Sequence, residues 1–238
     1  MALNLQSIYV LASGSSRAME QLDTITNNIA NVNTTGFKKL LLKEMSQRID
    51  KNRGDSNHLF VFSRFEDTPV ILEQGSLKKT ENPLDFAIEG DGFFQVKVKG
   101  EKLLTRNGHF FINNENILVD SNGNPVLDDA GKKIEVNSKY PINVGPNGAI
   151  FQKGEEVAKL KIINFEKVKA YGKSYYVGNG SEKKPKYLIR QGFLESSNVN
   201  PIKEMSEMII SQRRFEIYSN LIKSLDAIEQ KTNEIGRA

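Results

Sequence analysis

The sequence predicts an α+β protein: an all-β, hairpin-rich central domain, with a helical stem formed when the N- and C-terminal helices pair as a coiled coil. Three observations predict it. Apolar or small residues recur three and four apart through the first 32 positions. Period-two runs punctuated by turn residues fill the middle, and helical spacing returns after residue 200. The 238 residues, 38% hydrophobic and 26% charged, suffice for one large domain or two small ones. The expected division is an N-terminal stem helix at 1–37, a linker or extended segment at 38–68, a β-rich domain at 69–195 and a C-terminal stem helix at 196–238.

In the first helix Ile8, Leu11, Ser15, Ala18, Leu22, Ile25, Ile29 and Val32 form an unbroken heptad seam. Its weak stretch is "ASGSSRA", where Gly14 and three serines lower helicity while the small Ser15 and Ala18 admit a close partner helix. Such a helix needs a covering surface. The element closes in "LDTITNNIANVNTTGF", residues 22–37, because Asn and Thr side chains compete for backbone hydrogen bonds and Gly tolerates a positive φ. Helix termination accounts for Asn33, Thr34, Thr35 and Gly36 as well as an intersubunit role does. Asn27 and Asn28 lie inside the heptad run, where an amide that both donates and accepts suits an interface better.

The next stretch, "LLLKEMSQRIDKNRGD" from Leu40, fits either a short helix or an adaptable linker. From Phe65 to about Leu194, runs such as "GFFQVKVKG", "KLLTRNGHFFI" and "KLKIINF" are separated by "RNGH", "SNGNP", "DDAGK" and "GPNGA". Phe94, Val96 and Val98 alternate with Gln95, Lys97 and Lys99, as in a strand with one wet face. The last helix is expected from about Asn200 to Glu234, capped by Ser197 or Asn198, with Pro201 in its first turn and Glu204 favoured by the macrodipole. Ile202, Met205 and Ile209 form one apolar line. Phe215, Tyr218, Ile222 and Leu225 form another, with Ile217, Leu221 and Ile228 beside it, so this helix has more than one packing partner.

Composition excludes several functions. Lys and Arg number 33 against 29 Asp and Glu, and the small excess is scattered, which argues against nucleic acid. Cysteine is absent, so thiol redox chemistry and thiolate metal sites are out. No apolar run approaches the ~20 residues of a membrane span, so membrane insertion is not expected. "MALNLQSIYVLASGSSR" lacks a basic leader and has too short an apolar run for a cleaved signal peptide.

No catalytic, cofactor or metal site is predicted. "DSNGNPVLDD" places Asp120, Asn122 and Asn124 at calcium-loop spacing, but Pro125 takes the Gly position and Gly131 the bidentate Glu position, leaving a hairpin turn. Glu89 and Asp91 sit in a glycine-flanked bend without a histidine, and His58 and His109 are too separated for zinc. "GNGSEK" at Gly178 and "SLKK" at Ser76 are fragments of nucleotide and serine-lysine motifs without their context.

"LDTITNNIANVNTTGFKK", "NPLDFAIEGDGFFQV" and "QGFLESSNVNPIKEMSEMIISQRRFEIYSNLIKSLDAIEQ", in that order, closely resemble the bacterial flagellar basal-body rod and hook family. The resemblance implies a self-assembling structural subunit whose paired terminal helices line an axial tube, with the β-domain outside. It implies a driveshaft that transmits torque around the export channel, and partners in itself, other axial rod proteins and the flagellar type III export apparatus. The expected place is the basal-body rod where it crosses the periplasm. Modest length and a single β-domain favour a rod subunit over a hook subunit, and the segment from Leu40 to Ser76, which departs from the distal rod pattern, favours the proximal type. In "GSLKKTENPLD", Glu81 stands where the family usually has Gly. The expected assembly interface is Ile8, Leu11, Leu22, Ile25, Asn27, Asn28, Ile29, Asn31, Val32, Gly36 and Phe37, with Met205, Met208, Ile209, Phe215, Tyr218, Leu221, Ile222 and Leu225. The competing expectation is a secreted oligomeric binding protein whose β-domain holds a ligand.

Overall fold

The computed structural model describes residues 2–46, 63–67, 69–172 and 174–235. These divide into two units, one from the described parts of 1–30, 41–68 and 200–238, the other from those of 31–40 and 69–199. The segment 47–62, which holds most of the helix-or-linker stretch and His58, lies outside the described residues.

The first unit is helical. Helix α1 (Ala2–Ala30) and helix α2 (Pro201–Ile235) run antiparallel, since Asn28 meets Glu204, Ala18 meets Ser211 and Gly14 meets Tyr218. Beside them in sequence, strand β1 (Lys43–Ser46) pairs antiparallel with β2 (Ser63–Asp67). Helix α1 stops at Ala30, and the Asn and Thr residues after it close turns of their own: Thr34 N–H donates to the Asn31 carbonyl and Phe37 N–H to that of Thr34. The cap of α2 is Asn200, not Ser197 or Asn198. Its Oδ1 accepts the Lys203 N–H at 3.1 Å, the geometry of an N-cap followed by Pro in the first helical position. Ser197 turns back onto Val199 N–H, and Asn198 is engaged with Lys39, Ile71 and Glu73.

The second unit is built of antiparallel strands. In order these are β3 (Leu77–Lys79), β4 (Phe86–Gly90), β5 (Phe93–Val98), β6 (Glu101–Thr105), β7 (Phe110–Ile112) and β8 (Leu118–Asp120). There follow β9 (Asn143–Val144), β10 (Ala149–Gln152), β11 (Glu155–Lys159), β12 (Ile162–Gly172), β13 (Tyr175–Lys183), β14 (Tyr187–Gln191) and β15 (Phe193–Glu195). Strands β12, β13, β6 and β5 close into a small barrel; β4 pairs with β14, β3 with β15, β7 with β8, and β10 lies between β9 and β11.

Period-two alternation sends the two faces of the barrel strands into two cores. Phe94, Val96 and Leu103 join Phe86, Phe110 and Ile150 in the larger one, while Phe93, Leu104, Ile163 and Tyr176 make the smaller. The expectation of a wet face on β5 is therefore corrected at its start: Gln95 shares the side of Phe93 and is buried, whereas Lys97 is exposed. The hairpin turns follow from local chemistry. Lys99-Gly100 and Lys153-Gly154 each take positive φ at both positions, as a two-residue turn between right-twisted strands requires. At "DSNGNP" the Asp120 carboxylate accepts the N–H groups of Asn122 and Asn124 and the Tyr175 hydroxyl, so it organises a turn.

Candidate assembly surface

Two faces of α2 have different fates. Glu204, Met208, Ser211, Phe215, Tyr218, Ile222 and Leu225 follow each other at steps of four and three and are buried or half-buried. Ser211 Oγ donates to the Ala18 carbonyl at 2.9 Å, so its helix backbone lies close to that of α1, an approach that the small residues on both sides permit. On α1, Ala18, Ile25 and Asn28 are buried, and Ile8, Leu11, Leu22 and Ile29 are half-buried. Gly14 belongs to this contact. A Cβ there would lie 2.7 Å from the Tyr218 ring, so the residue that weakens the isolated helix is also what lets the ring sit against it.

The other face of α2 is not covered among the described residues. Ile202, Met205, Ile209, Ile210, Ile217, Leu221 and Ile228 are exposed, Ile202 to 77% and Ile217 to 58%. Ile202 and Ile209 lie two residues from Glu204 and Ser211, about 200° around the helix from the side turned to α1. A large aliphatic side chain contributes about 1.5–3 kcal/mol when fully buried. Seven such chains along one helix are a surface that a second partner would bury.

Of the expected interface residues, several are used inside the chain. Asn28 Nδ2 donates to Glu204 Oε2 at 3.1 Å, with both residues buried, so this asparagine joins α1 to α2. Gly36 and Phe37 are buried within the chain. Gly36 has φ +68°, donates its N–H to the Glu195 carbonyl at 2.8 Å, and has no room for a Cβ beside the Arg106 backbone. Asn31 and Val32 lie past the end of α1 and are half-buried, while Asn27, Met205, Ile209 and Leu221 are exposed.

Beyond Phe37 the second unit holds a group of buried charges that sequence reading missed. Lys38 and Arg106 both bond to the Glu195 carboxylate, and the Tyr176 hydroxyl accepts the Lys38 N–H at 2.7 Å. Burial pushes the Lys38 amine below the ordinary lysine range against the opposing pull of Glu195, and burial likewise pushes the Tyr176 phenol up. Elsewhere in this unit a half-open polar cavity of roughly 300 Å³ is lined by Asn31, Thr34, Asp120 and Tyr175 among others. Among the described residues no helix is long and apolar enough to cross a membrane.

Three family models match in sequence order. Residues 8–38 match the flagella basal body rod protein model, 87–152 the D1 domain of the flagellar hook protein FlgE/F/G, and 190–235 the C-terminal region of the flagellar basal body rod FlgEFG proteins. The chain is 34% identical to the flagellar basal-body rod protein FlgF of Mesorhizobium japonicum over 225 residues, which cover 91% of this chain and 92% of the relative. It belongs to the flagellar basal-body rod protein family. Similarity extends at 32% identity to the FlgF protein of Caulobacter vibrioides, covering 96% of both chains. With the rod protein FlgG of Bacillus subtilis it is 29% over 98% of this chain and the whole of the relative. The family segment at 8–38 carries α1 from Ile8 and its polar end as far as Lys38, and that at 190–235 carries Glu195, Asn200 and α2.

Proposed function

We propose that this chain is a structural subunit of the bacterial flagellar basal-body rod, self-assembling through its terminal helices into an axial driveshaft around the export channel. One observation supports it above others: α2 packs on α1 by one face and presents seven exposed apolar side chains elsewhere on its surface. In a tube of parallel subunits, that surface is covered by neighbouring copies and by other rod proteins, which closes an interface without further sequence. In the assembled state α1 and α2 form the coiled-coil stem, and residues 69–195 form the outer domain. The interface residues carried forward are Met205, Ile209 and Leu221 on α2 and the half-buried seam residues Ile8 and Leu11 on α1. Delivery by the flagellar type III export apparatus and a place in the periplasmic part of the rod follow from this reading.

The proximal rod type is favoured. Relatives named FlgF align at 32–34% identity over 225–240 residues, close to the 238 of this chain, whereas the FlgG of Bacillus subtilis aligns at 29% over 263. The family is structural and the chain is not an enzyme, and nothing favours the alternative of a ligand-holding secreted protein. The test is Ile209→Asp together with Leu221→Asp, which places carboxylates on the exposed face of α2, against Lys97→Asp on an exposed position of β5. The helix-face variant should fold, yet yield non-motile cells without complete rods, while Lys97→Asp assembles. Complete rods from the helix-face variant would refute assembly through α2.

A further inference from the structure

Lys38, Glu195 and Arg106 are 1%, 1% and 3% exposed, so three formal charges are sealed from water in the β-unit. Lys38 Nζ donates to Glu195 Oε1 at 2.7 Å and to the Glu73 carbonyl at 2.6 Å. Arg106 Nη1 donates to Glu195 Oε2 at 3.0 Å and to the Ile88 carbonyl at 3.2 Å, and Nη2 to the Gly90 carbonyl at 2.7 Å. Gly75 N–H completes the carboxylate at 2.9 Å. Stability alone explains such a cluster poorly, because desolvating charges costs so much that well-packed apolar replacements are often neutral or better. Placement explains it well.

Lys38 follows the last residue of α1, Ala30, by eight positions, and Glu195 precedes the first residue of α2, Pro201, by six. Around the cluster the same two stretches are joined again. Gly36 N–H donates to the Glu195 carbonyl at 2.8 Å, Lys39 N–H to Asn198 Oδ1 at 2.7 Å, and Asn198 Nδ2 to the carbonyls of Ile71 and Glu73. Residues 36–39 and 195–198 are thus tied to each other and to 71–75.

We propose that the Lys38–Glu195–Arg106 cluster is a positioning clamp that holds side by side the two chain segments continuing into α1 and α2, so that the helices pair across a short closure. Loop closure becomes less favourable as roughly the 3/2 power of loop length. Through the clamp the path from Ala30 to Pro201 is about 14 residues, eight to Lys38 and six from Glu195. Around the β-unit it is about 170, so the clamp favours helix pairing by at most about 40-fold. Because Glu73, Arg106 and Tyr176 complete the clamp, helix pairing is favoured only once the β-unit has folded. The inference concerns the isolated chain and does not rest on the rod reading.

The test uses the full chain at concentrations where it is monomeric, as Lys38→Met and as Lys38→Met with Glu195→Gln. The double variant removes one cation with the anion and leaves Arg106 a carbonyl to bond. Hydrogen exchange is read at the amides of residues 18–28, and the β-unit is followed by its own thermal transition. The clamp predicts a retained β-unit transition with faster exchange in α1, by several-fold and at most about 40-fold. Unchanged exchange with the β-unit folded overturns it. Loss of the β-unit transition in both variants overturns it as well, because the cluster would then be a core element of that unit.

Discussion

Gly14→Ala separates propensity from packing. In an exposed helix interior the exchange stabilises by about 1 kcal/mol, since Gly loses more backbone entropy than Ala. Here the new Cβ would sit 2.7 Å from both Cε1 and Cζ of Tyr218, nearer than real Cβ contacts come, so the ring must shift or the helices must part. Overpacking of this kind costs about 1–3 kcal/mol. The clash outweighs the gain in propensity, and Gly14→Ala should weaken helix pairing by about 1 kcal/mol, roughly a five-fold loss of exchange protection in α1. With Tyr218→Ala in the background the clash is gone and the same exchange should strengthen pairing by about 1 kcal/mol, giving a coupling of about 2 kcal/mol. Hydrogen exchange on the four proteins of this cycle measures both signs. If Gly14→Ala raises protection equally with and without the tyrosine ring, the close packing of Gly14 on Tyr218 is wrong.

Glu81 holds φ +63° at the position where related rod proteins are expected to carry Gly, and its exposed ion pair with Lys79 contributes little. Glu81→Gly should therefore stabilise the β-unit by about 0.5–1 kcal/mol and raise its thermal midpoint by a few degrees; a lowered midpoint would contradict the strain. Burial, then the hydrogen bond to Asp120 and the charge of that carboxylate, push the Tyr175 phenol up from 10 to about 12. The unfolded chain ionises first, so the contribution of Tyr175 to stability is present below pH 10 and is lost as pH rises towards 12. Thermal melts from pH 9 to 12 should show a fall that Tyr175→Phe makes shallower, and an equal fall in both proteins would remove Tyr175 from the cause.

The two terminal helices and the hairpins were legible because their signals are local. A three-and-four spacing, an Asn-Gly or Ala-Gly pair and a Pro in a first helical turn act within one turn of chain, although the cap itself fell at Asn200 rather than Ser197 or Asn198. The two apolar faces of α2 were legible too, although only the structure tells which one α1 covers. Contacts between distant positions were not legible. Asn28 reaches Glu204 across 176 positions and Lys38 reaches Glu195 across 157, and nothing near either residue signals a buried partner. Lysine and glutamate in sequence read as surface. Gln95 was misplaced for a related reason, since period two tells which residues share a face but not that both faces of the barrel strands are covered. The signature at 22–37 divides its labour: Asn28 joins the helices, Asn31 and Thr34 close turns, and Gly36 packs against Arg106 and Asn107.

The central claim is that this chain builds the rod. Its most direct test is electron microscopy of purified basal bodies from cells in which the sole copy of this subunit carries a label inserted after the exposed Gly172 at the end of β12, with motility confirming that the label is tolerated. The account predicts label density around the rod, outside the axial tube and absent from the hook. Label confined to the hook, or basal bodies complete in its absence, would contradict it.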